Sequence, residues 1–259
     1  MSVDLSITGK TALITGGSRG IGAATVRMFV AAEAQVVFSY QRARDAAEKL
    51  ARECGSRCSA VQCDLNSADP ASGLVGAAVQ RFGRLDILVA NHGIWTAEDV
   101  PIEKMTTEQW LRTMAVNLES VFGLVKHAVA QMKHQPRRGP AAGHIVLVSS
   151  SSGQTGEALH VDYAATKGAL ISMAKGLSTE LAPDGIYVNC VAPGWVETEM
   201  VAPALENADK RQRVQREIPV GRLGRPAEIA AGILFLCTEH AGFVTGEVLN
   251  INGGEGLVG

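Results

Sequence analysis

Seven short runs of β-branched and aliphatic residues recur along the chain, at 12–15, 36–39, 60–63, 87–90, 145–149, 188–191 and 248–251. Each is continuous rather than alternating, the pattern of a strand buried on both faces. Segments of helical period lie between them: Ile21, Thr25, Met28, Phe29 and Ala32 share one face, and Ile229, Ile233, Phe235 and Leu236 form a later apolar stripe. Strands alternating with helices in this way build parallel βαβ units with right-handed crossovers. The pattern predicts an α/β fold, a single doubly wound domain over 1–259 with a seven-stranded parallel sheet flanked by helices. Long helical segments are predicted at 103–133 and 160–182, the second carrying Ala164, Ala165, Gly168, Ala169 and Ala174 for close helix contact. The stretch 134–143, with Arg137 and Arg138, reads as a loop insertion.

Composition narrows the function. Of 259 residues 46% are hydrophobic and 19% charged, and a net charge of −2 gives no electrostatic reason for a nucleic acid as main partner. The first ten residues lack an apolar core, so no secretory signal is expected. The longest uncharged run, 139–156, is broken by Pro140 and a Ser/Gly cluster, so no membrane span is expected either. The five cysteines, Cys54, Cys58, Cys63, Cys190 and Cys237, show no metal-ligand spacing and read as reduced thiols of a cytoplasmic protein with no bound metal. The 28 glycines with only 5% aromatic residues indicate backbones that approach each other or a ligand closely.

The first such approach follows the first strand, in Thr15-Gly16-Gly17-Ser18-Arg19-Gly20-Ile21-Gly22. A glycine turn between a strand and a helix can bring backbone N–H groups to a pyrophosphate at the helix N-terminus, with Gly22 allowing helix and strand to pack. At the end of the second strand, where an acid would hold the ribose 2′-hydroxyl of NAD, stand Ser39, Tyr40, Gln41 and Arg42. An acid would repel a 2′-phosphate, whereas Arg42 and Arg19 can bind it, so NADP(H) is preferred with NAD(H) as the alternative. Asp64-Leu65 and Asn91-His92-Gly93 end the third and fourth strands and would face the adenine and the ribose.

Tyr163 and Lys167 are four residues apart on one helical face. Moving a phenol from pKa ~10 to ~7 takes roughly 4 kcal/mol, about what one ammonium at ~4 Å supplies at an effective dielectric of ~20. The Ser149-Ser150-Ser151-Ser152-Gly153 turn ends the fifth strand, where a hydroxyl can hydrogen-bond a carbonyl oxygen gaining charge.

With Asn117 and Pro193-Gly194, these motifs resemble the short-chain dehydrogenase/reductase family over essentially the whole chain, and most nearly its 3-oxoacyl-(acyl-carrier-protein) reductases. The resemblance implies a Rossmann-type fold and hydride transfer between a nicotinamide and a carbonyl or secondary alcohol. It also implies Tyr163 as general acid/base, Lys167 as the group that tunes it and holds the ribose, Ser150 as the group orienting substrate and Asn117 in a proton relay. Ile186, Asn189, Pro193, Gly194, Val196 and Thr198 would line the nicotinamide and phosphates. A homotetramer is implied, with the tail at 253–259 reaching a neighbouring subunit.

Two positions depart from the family pattern. Its usual Asn-Ala-Gly is Asn91-His92-Gly93 here, with His92 read as a packing or ribose-side residue. The basic residue that carrier-protein users place beside the site is Asp184 here, leaving Arg137 and Arg138 as candidates for an acyl carrier protein. The substrate pocket is expected from Trp95, Ser152, Gln154, Glu157, His160 and Trp195, under a mobile lid at 195–219. Reduction of a 3-oxoacyl thioester, oxidation of a sugar or polyol with NAD, and a non-enzymatic nucleotide sensor are the functional alternatives.

Overall fold

The structure is a computed structural model that describes residues 5–256. Residues 1–4 of the expected signal-free start and 257–259 of the expected intersubunit tail lie outside the described residues. The strands are β1 (Thr11–Ile14), β2 (Gln35–Tyr40), β3 (Cys58–Gln62), β4 (Ile87–Ala90), β5 (Gly143–Val148), β6 (Ile186–Pro193) and β7 (Val248–Ile251). They form one parallel sheet in the order β3-β2-β1-β4-β5-β6-β7. The order reverses at β1, which pairs through Ala12 with Val36 on one side and Ile87 on the other, opening a crevice beyond the strand ends.

The continuous apolar runs arise because alternate residues serve two cores. Ala12, Ile14, Ile87 and Val89 join Val26 and Phe29 of α1 (Gly20–Ala31) and Ile229 and Ile233 of α9 (Pro226–Leu236). Leu13, Leu88 and Ala90 face the other way, toward Leu74 of α3 (Pro70–Phe82), Leu124 of α5 (Ser120–His134) and Leu170 of α7 (Val161–Leu181). The remaining helices are α2 (Arg44–Cys54), α4 (Thr107–Met114), α6 (Ser152–Thr155) and α8 (Ala208–Glu217). No helix among the described residues is long and apolar enough to cross a membrane.

The helix expected at 103–133 is interrupted. Thr106 caps α4 by accepting the Gln109 N–H at 3.1 Å, and a π-turn at Ala115–Glu119 separates α4 from α5. A π-turn inserts one residue without disturbing the polar and apolar alternation on either side, so periodicity alone does not reveal it. Phe235, expected in the apolar stripe of α9, is 37% exposed, because Ile229, Ile233 and Leu236 occupy the face turned to the sheet.

Candidate active site

A cleft of about 890 Å³ opens at the carboxyl ends of the strands. Of the residues expected to hold the dinucleotide, those from Gly16 through Arg42, Asp64, Leu65, Asn91 and Gly93 to Pro193, Gly194, Val196 and Thr198 line it, as do Ser150, Tyr163 and Lys167, whereas Ile186 and Asn189 do not. A Cβ at Gly22 would overlap the Gly16 carbonyl oxygen, so α1 can start this close to the turn only with glycine there. Arg19 at the N-cap of α1 makes no side-chain capping bond, which leaves the first-turn N–H groups facing the cleft for an anion. These features fit a dinucleotide. Asn91 closes the turn by donating to the Thr15 carbonyl at 2.9 Å. At the β2 end, Asp64 accepts from Gln41 at 2.7 Å, while Arg42 is exposed and makes no ion pair with a described carboxylate.

Tyr163 and Lys167 project from α7, and Ser150 from the turn after β5. A Cβ at Gly153 would fall 2.6 Å from the Lys167 carbonyl carbon, so a side chain there would push the serine turn off α7. The Ser150 hydroxyl stands near enough to Tyr163 to lower its pKa, and Ser150 Oγ accepts the Ser152 N–H at 3.2 Å. Lys167 Nζ donates to the Val148 carbonyl at 2.8 Å and lies 5.5 Å from the centre of the Tyr163 ring.

The expected lowering of the phenol pKa by Lys167 is not found. Burial pushes Tyr163 up to about 12, the Ser150 hydroxyl offsetting part of this and the Glu157 charge adding to it. Burial likewise brings Lys167 down to about 8. The protein alone therefore holds Tyr163 as a protonated phenol at neutral pH, the form that can donate to a carbonyl oxygen.

Asn117 sits in the π-turn, fully buried. Its Oδ1 accepts the Ile94 N–H at 2.8 Å, and its Nδ2 donates to the Ile94 carbonyl at 2.9 Å and to Thr166 Oγ1 at 3.3 Å. It ties the loop after β4 to α7. His92 bridges Thr15 Oγ1 and Ser120 Oγ, each at 2.7 Å, a packing role as expected.

Of the expected substrate residues, five gather at one side of the serine turn. Trp95 Nε1 donates to Glu157 Oε1 at 3.1 Å and Ser152 Oγ to Glu157 Oε2 at 2.6 Å, while His160 and Trp195 pack against Trp95. Gln154 does not join them; its amide donates to Asn250 of β7 at 2.5 Å. Two further expectations are corrected by strand direction. Ile186 begins β6 and lies in the core at the end of the sheet away from the cleft, and Asn189 is spent on Val244 and Glu247 in mid-strand. Arg137 and Arg138 lead into the amino end of β5, where Arg137 bonds the Pro140 carbonyl and Lys10 reaches the Arg138 carbonyl. They stand at the opposite end of the sheet from the cleft and cannot dock a carrier beside it.

Sequence reasoning missed Arg112 of α4, which lines the cleft, and Glu255, which lies near enough to Trp195 to have its pKa lowered by it. Neither belongs to a local motif. Segment 195–219 contains α8, and its Leu205, Val214 and Ile218 form a small core with Leu223 just beyond it. Arg211 pairs with Glu197 at 3.2 Å, and Lys210 approaches Asp99 at 3.8 Å. Among the described residues, no group of three or more His, Cys, Asp or Glu side chains is placed to hold a metal.

A dinucleotide cleft that ends on a serine, a tyrosine and a lysine defines an oxidoreductase. Residues 16–255 match the family model described as enoyl-(acyl carrier protein) reductase. The chain is 36% identical over 255 residues to a 3-oxoacyl-(acyl-carrier-protein) reductase of Aquifex aeolicus, covering 97% of this chain and 99% of that protein. A Brucella melitensis short-chain dehydrogenase/reductase of glucose/ribitol dehydrogenase type superposes with a TM-score of 0.89 at 35% identity, over 100% of both chains. A 3-ketoacyl-(acyl-carrier-protein) reductase of the same organism, in complex with NADH, gives 0.89 at 31% identity, over 97% of this chain and 100% of that one. The chain belongs to the short-chain dehydrogenase/reductase family and is an oxidoreductase that uses a nicotinamide cofactor.

Proposed function

We propose that this protein interconverts a carbonyl and a secondary alcohol with NADP(H), Tyr163 serving as general acid/base. The contact of Tyr163 with Ser150 at the end of the dinucleotide cleft carries this reading. The nicotinamide supplies the hydride in reduction and accepts it in oxidation. Ser150 orients the carbonyl oxygen, and the Tyr163 phenol gives it a proton. Lys167 holds positive charge beneath the tyrosine, which stabilises the phenolate left behind, and Asn117 keeps the loop after β4 in register with α7.

Arg42 and Arg19 beside a β2 end that lacks an acid support NADP(H). Initial rates with both cofactors, over a panel of ketones and alcohols that includes a β-ketoacyl thioester, test this. Equal efficiency with NADH overturns the cofactor choice, and unchanged turnover in Tyr163→Phe overturns the mechanism. A nucleotide sensor has no use for the Ser150, Tyr163 and Lys167 arrangement. Reduction of a 3-oxoacyl thioester is the second reading, favoured by the reductase relatives and by Arg213 and Arg216 on exposed α8, which can meet an acidic carrier. The segment 195–219 closes over the cleft as a lid in this reading of a single domain. Trp110, Leu111 and Phe122, exposed on α4 and α5, suit a homotetramer, and five free cysteines suit a cytoplasmic protein.

A further inference from the structure

Side chains on the first turns of α7 divide between two neighbours. Tyr163 and Lys167, four residues apart, line the cleft. Asp162 and Thr166 each precede one of them and are likewise four apart, but they are buried, at 3% and 0% exposure, and bond to α4 and the π-turn. Asp162 Oδ2 accepts from Thr113 Oγ1 at 2.7 Å and from Gln109 Nε2 at 3.2 Å. One turn later Thr166 Oγ1 accepts from Asn117 Nδ2 at 3.3 Å and donates to the Tyr163 carbonyl at 2.7 Å. Gln109, Thr113 and Asn117 follow one another at intervals of four, so α4 and the π-turn meet α7 along one polar seam.

Asp162 is the costly member of this seam. Its bonds come from an amide and a hydroxyl, which make up only part of the hydration a carboxylate loses on burial. A packed apolar residue fills such a place at less cost, and the best-attested use of a buried charge is to fix the register of two packed elements. Here the register matters at the far end of the seam. Asn117 grips Ile94 through both its N–H and its carbonyl, and Gly93 and Ile94 line the cleft. A Cβ at Gly93 would stand 3.2 Å from Asn117 Oδ1 and 3.5 Å from Lys167 Nζ, so this loop runs between the seam and the ammonium. A slip of α4 along α7 therefore moves Asn117 and the cleft wall relative to Tyr163 and Lys167.

We propose that Asp162 is a positioning residue: through Thr113 and Gln109 it holds α4 in register with α7, and so keeps Asn117 and the loop at 93–94 set against Tyr163 and Lys167. Its effect on turnover rests on the acid/base reading of Tyr163, while its hold on the loop is measurable without turnover. Asp162→Val removes the acceptor. Thr113→Val removes the nearer donor without changing the side chain's shape, and serves if Asp162→Val does not fold. Each is expected to lower kcat by about tenfold, on whichever probe of the ketone and alcohol panel the wild type turns over, with the NADPH KM changed less than about threefold. Asp162→Asn and Thr113→Ser each keep a bond across the seam, and their kcat should stay within about threefold of wild type. A valine variant that is less stable in urea but keeps its kcat, or a conservative variant as damaged as its valine counterpart, overturns the proposal.

Hydrogen exchange at the Ile94 amide, which donates to Asn117 Oδ1, reads the same seam with no substrate present. It is expected to be about tenfold faster in either valine variant than in wild type, and to return toward wild type in Thr113→Ser. Unchanged exchange at Ile94 in both valine variants overturns the proposal even if kcat falls. Faster exchange in a protein whose Tyr163→Phe variant turns over normally upholds the hold of Asp162 on the loop while the acid/base mechanism fails.

Discussion

Ser120 Oγ accepts the Nε2 proton of His92. Ser120 lies 2.7 Å from the Val116 carbonyl, to which only a donor can bond, so its own proton is committed there and the imidazole must supply the other. The His92 Nδ1 is then the acceptor for Thr15 Oγ1, which itself accepts the Asn91 N–H at 3.0 Å. The neutral ring thus links the end of β1 to the π-turn that carries Asn117.

Removing that ring leaves the hydroxyls of two fully buried residues, Thr15 and Ser120, with unmet hydrogen bonds. His92→Ala is expected to lose about 1–3 kcal/mol of stability in urea unfolding, the usual cost of leaving such groups unsatisfied. A midpoint within error of wild type would falsify the bridge.

The same ring predicts a pH dependence. Burial first, then the Lys167 charge, lower His92 to about 3, and burial lowers His144 to about 4. Between these values and the unfolded histidine pKa of about 6.5, the unfolded chain binds protons that the folded one refuses, so stability falls as pH falls. Each histidine contributes a slope of about 1.4 kcal/mol per pH unit in that window. Urea titrations from pH 6.5 to 4 check this: His144→Gln should flatten the curve relative to wild type, and an unchanged slope rules the assignment out.

Lys167 should leave its mark on the reaction itself. Its ammonium loses a proton near pH 8 in the free protein, because burial disfavours the charge. The kcat/KM for carbonyl reduction, which reports the free enzyme, is expected to fall above that pH. A guanidinium keeps its charge throughout, so Lys167→Arg should retain a lower but flatter profile. Identical pH profiles for the two proteins would remove Lys167 as the titrating group.

Arg42 faces the cleft without a carboxylate partner among the described residues. Arg42→Glu should lower the NADPH-to-NADH ratio of kcat/KM by roughly 10- to 100-fold, through loss of an attractive contact and gain of a repulsive one. Binding titrations with both cofactors read this directly, and an unmoved ratio assigns the preference elsewhere.

Leu88 is fully buried between β1 and β5 and faces α3, α5 and α7. Leu88→Ala should cost about 2–5 kcal/mol through lost burial and the cavity left behind. Denaturant unfolding measures it; a loss below about 1 kcal/mol would mean that the site collapses freely.

The seven strands were legible because a residue buried on either face of a parallel sheet must be apolar, and Ala12, Leu13 and Ile14 show this without reference to any partner. The glycine turn at Gly16–Gly22 and the Tyr163 and Lys167 spacing were legible for a similar reason: backbone turns and helical faces are set by near neighbours in sequence. Arg137, Arg138 and Ile186 were misplaced because which end of a strand meets the cleft depends on chain direction within the assembled sheet. Gln154 was misassigned because Asn250, its partner, lies 96 residues away.

Local chemistry along the chain thus determined the layers, the dinucleotide turn and the pair of candidate catalytic side chains. Only the tertiary structure decided the environment in which they work. Burial, which holds the Tyr163 phenol up and the Lys167 ammonium down, is set by everything packed around α7. Likewise Glu255 meets Trp195 only after β7 has added to the sheet edge at β6. Periodicity reports which face of an element is apolar; packing alone brings distant polar atoms together and sets the dielectric between them.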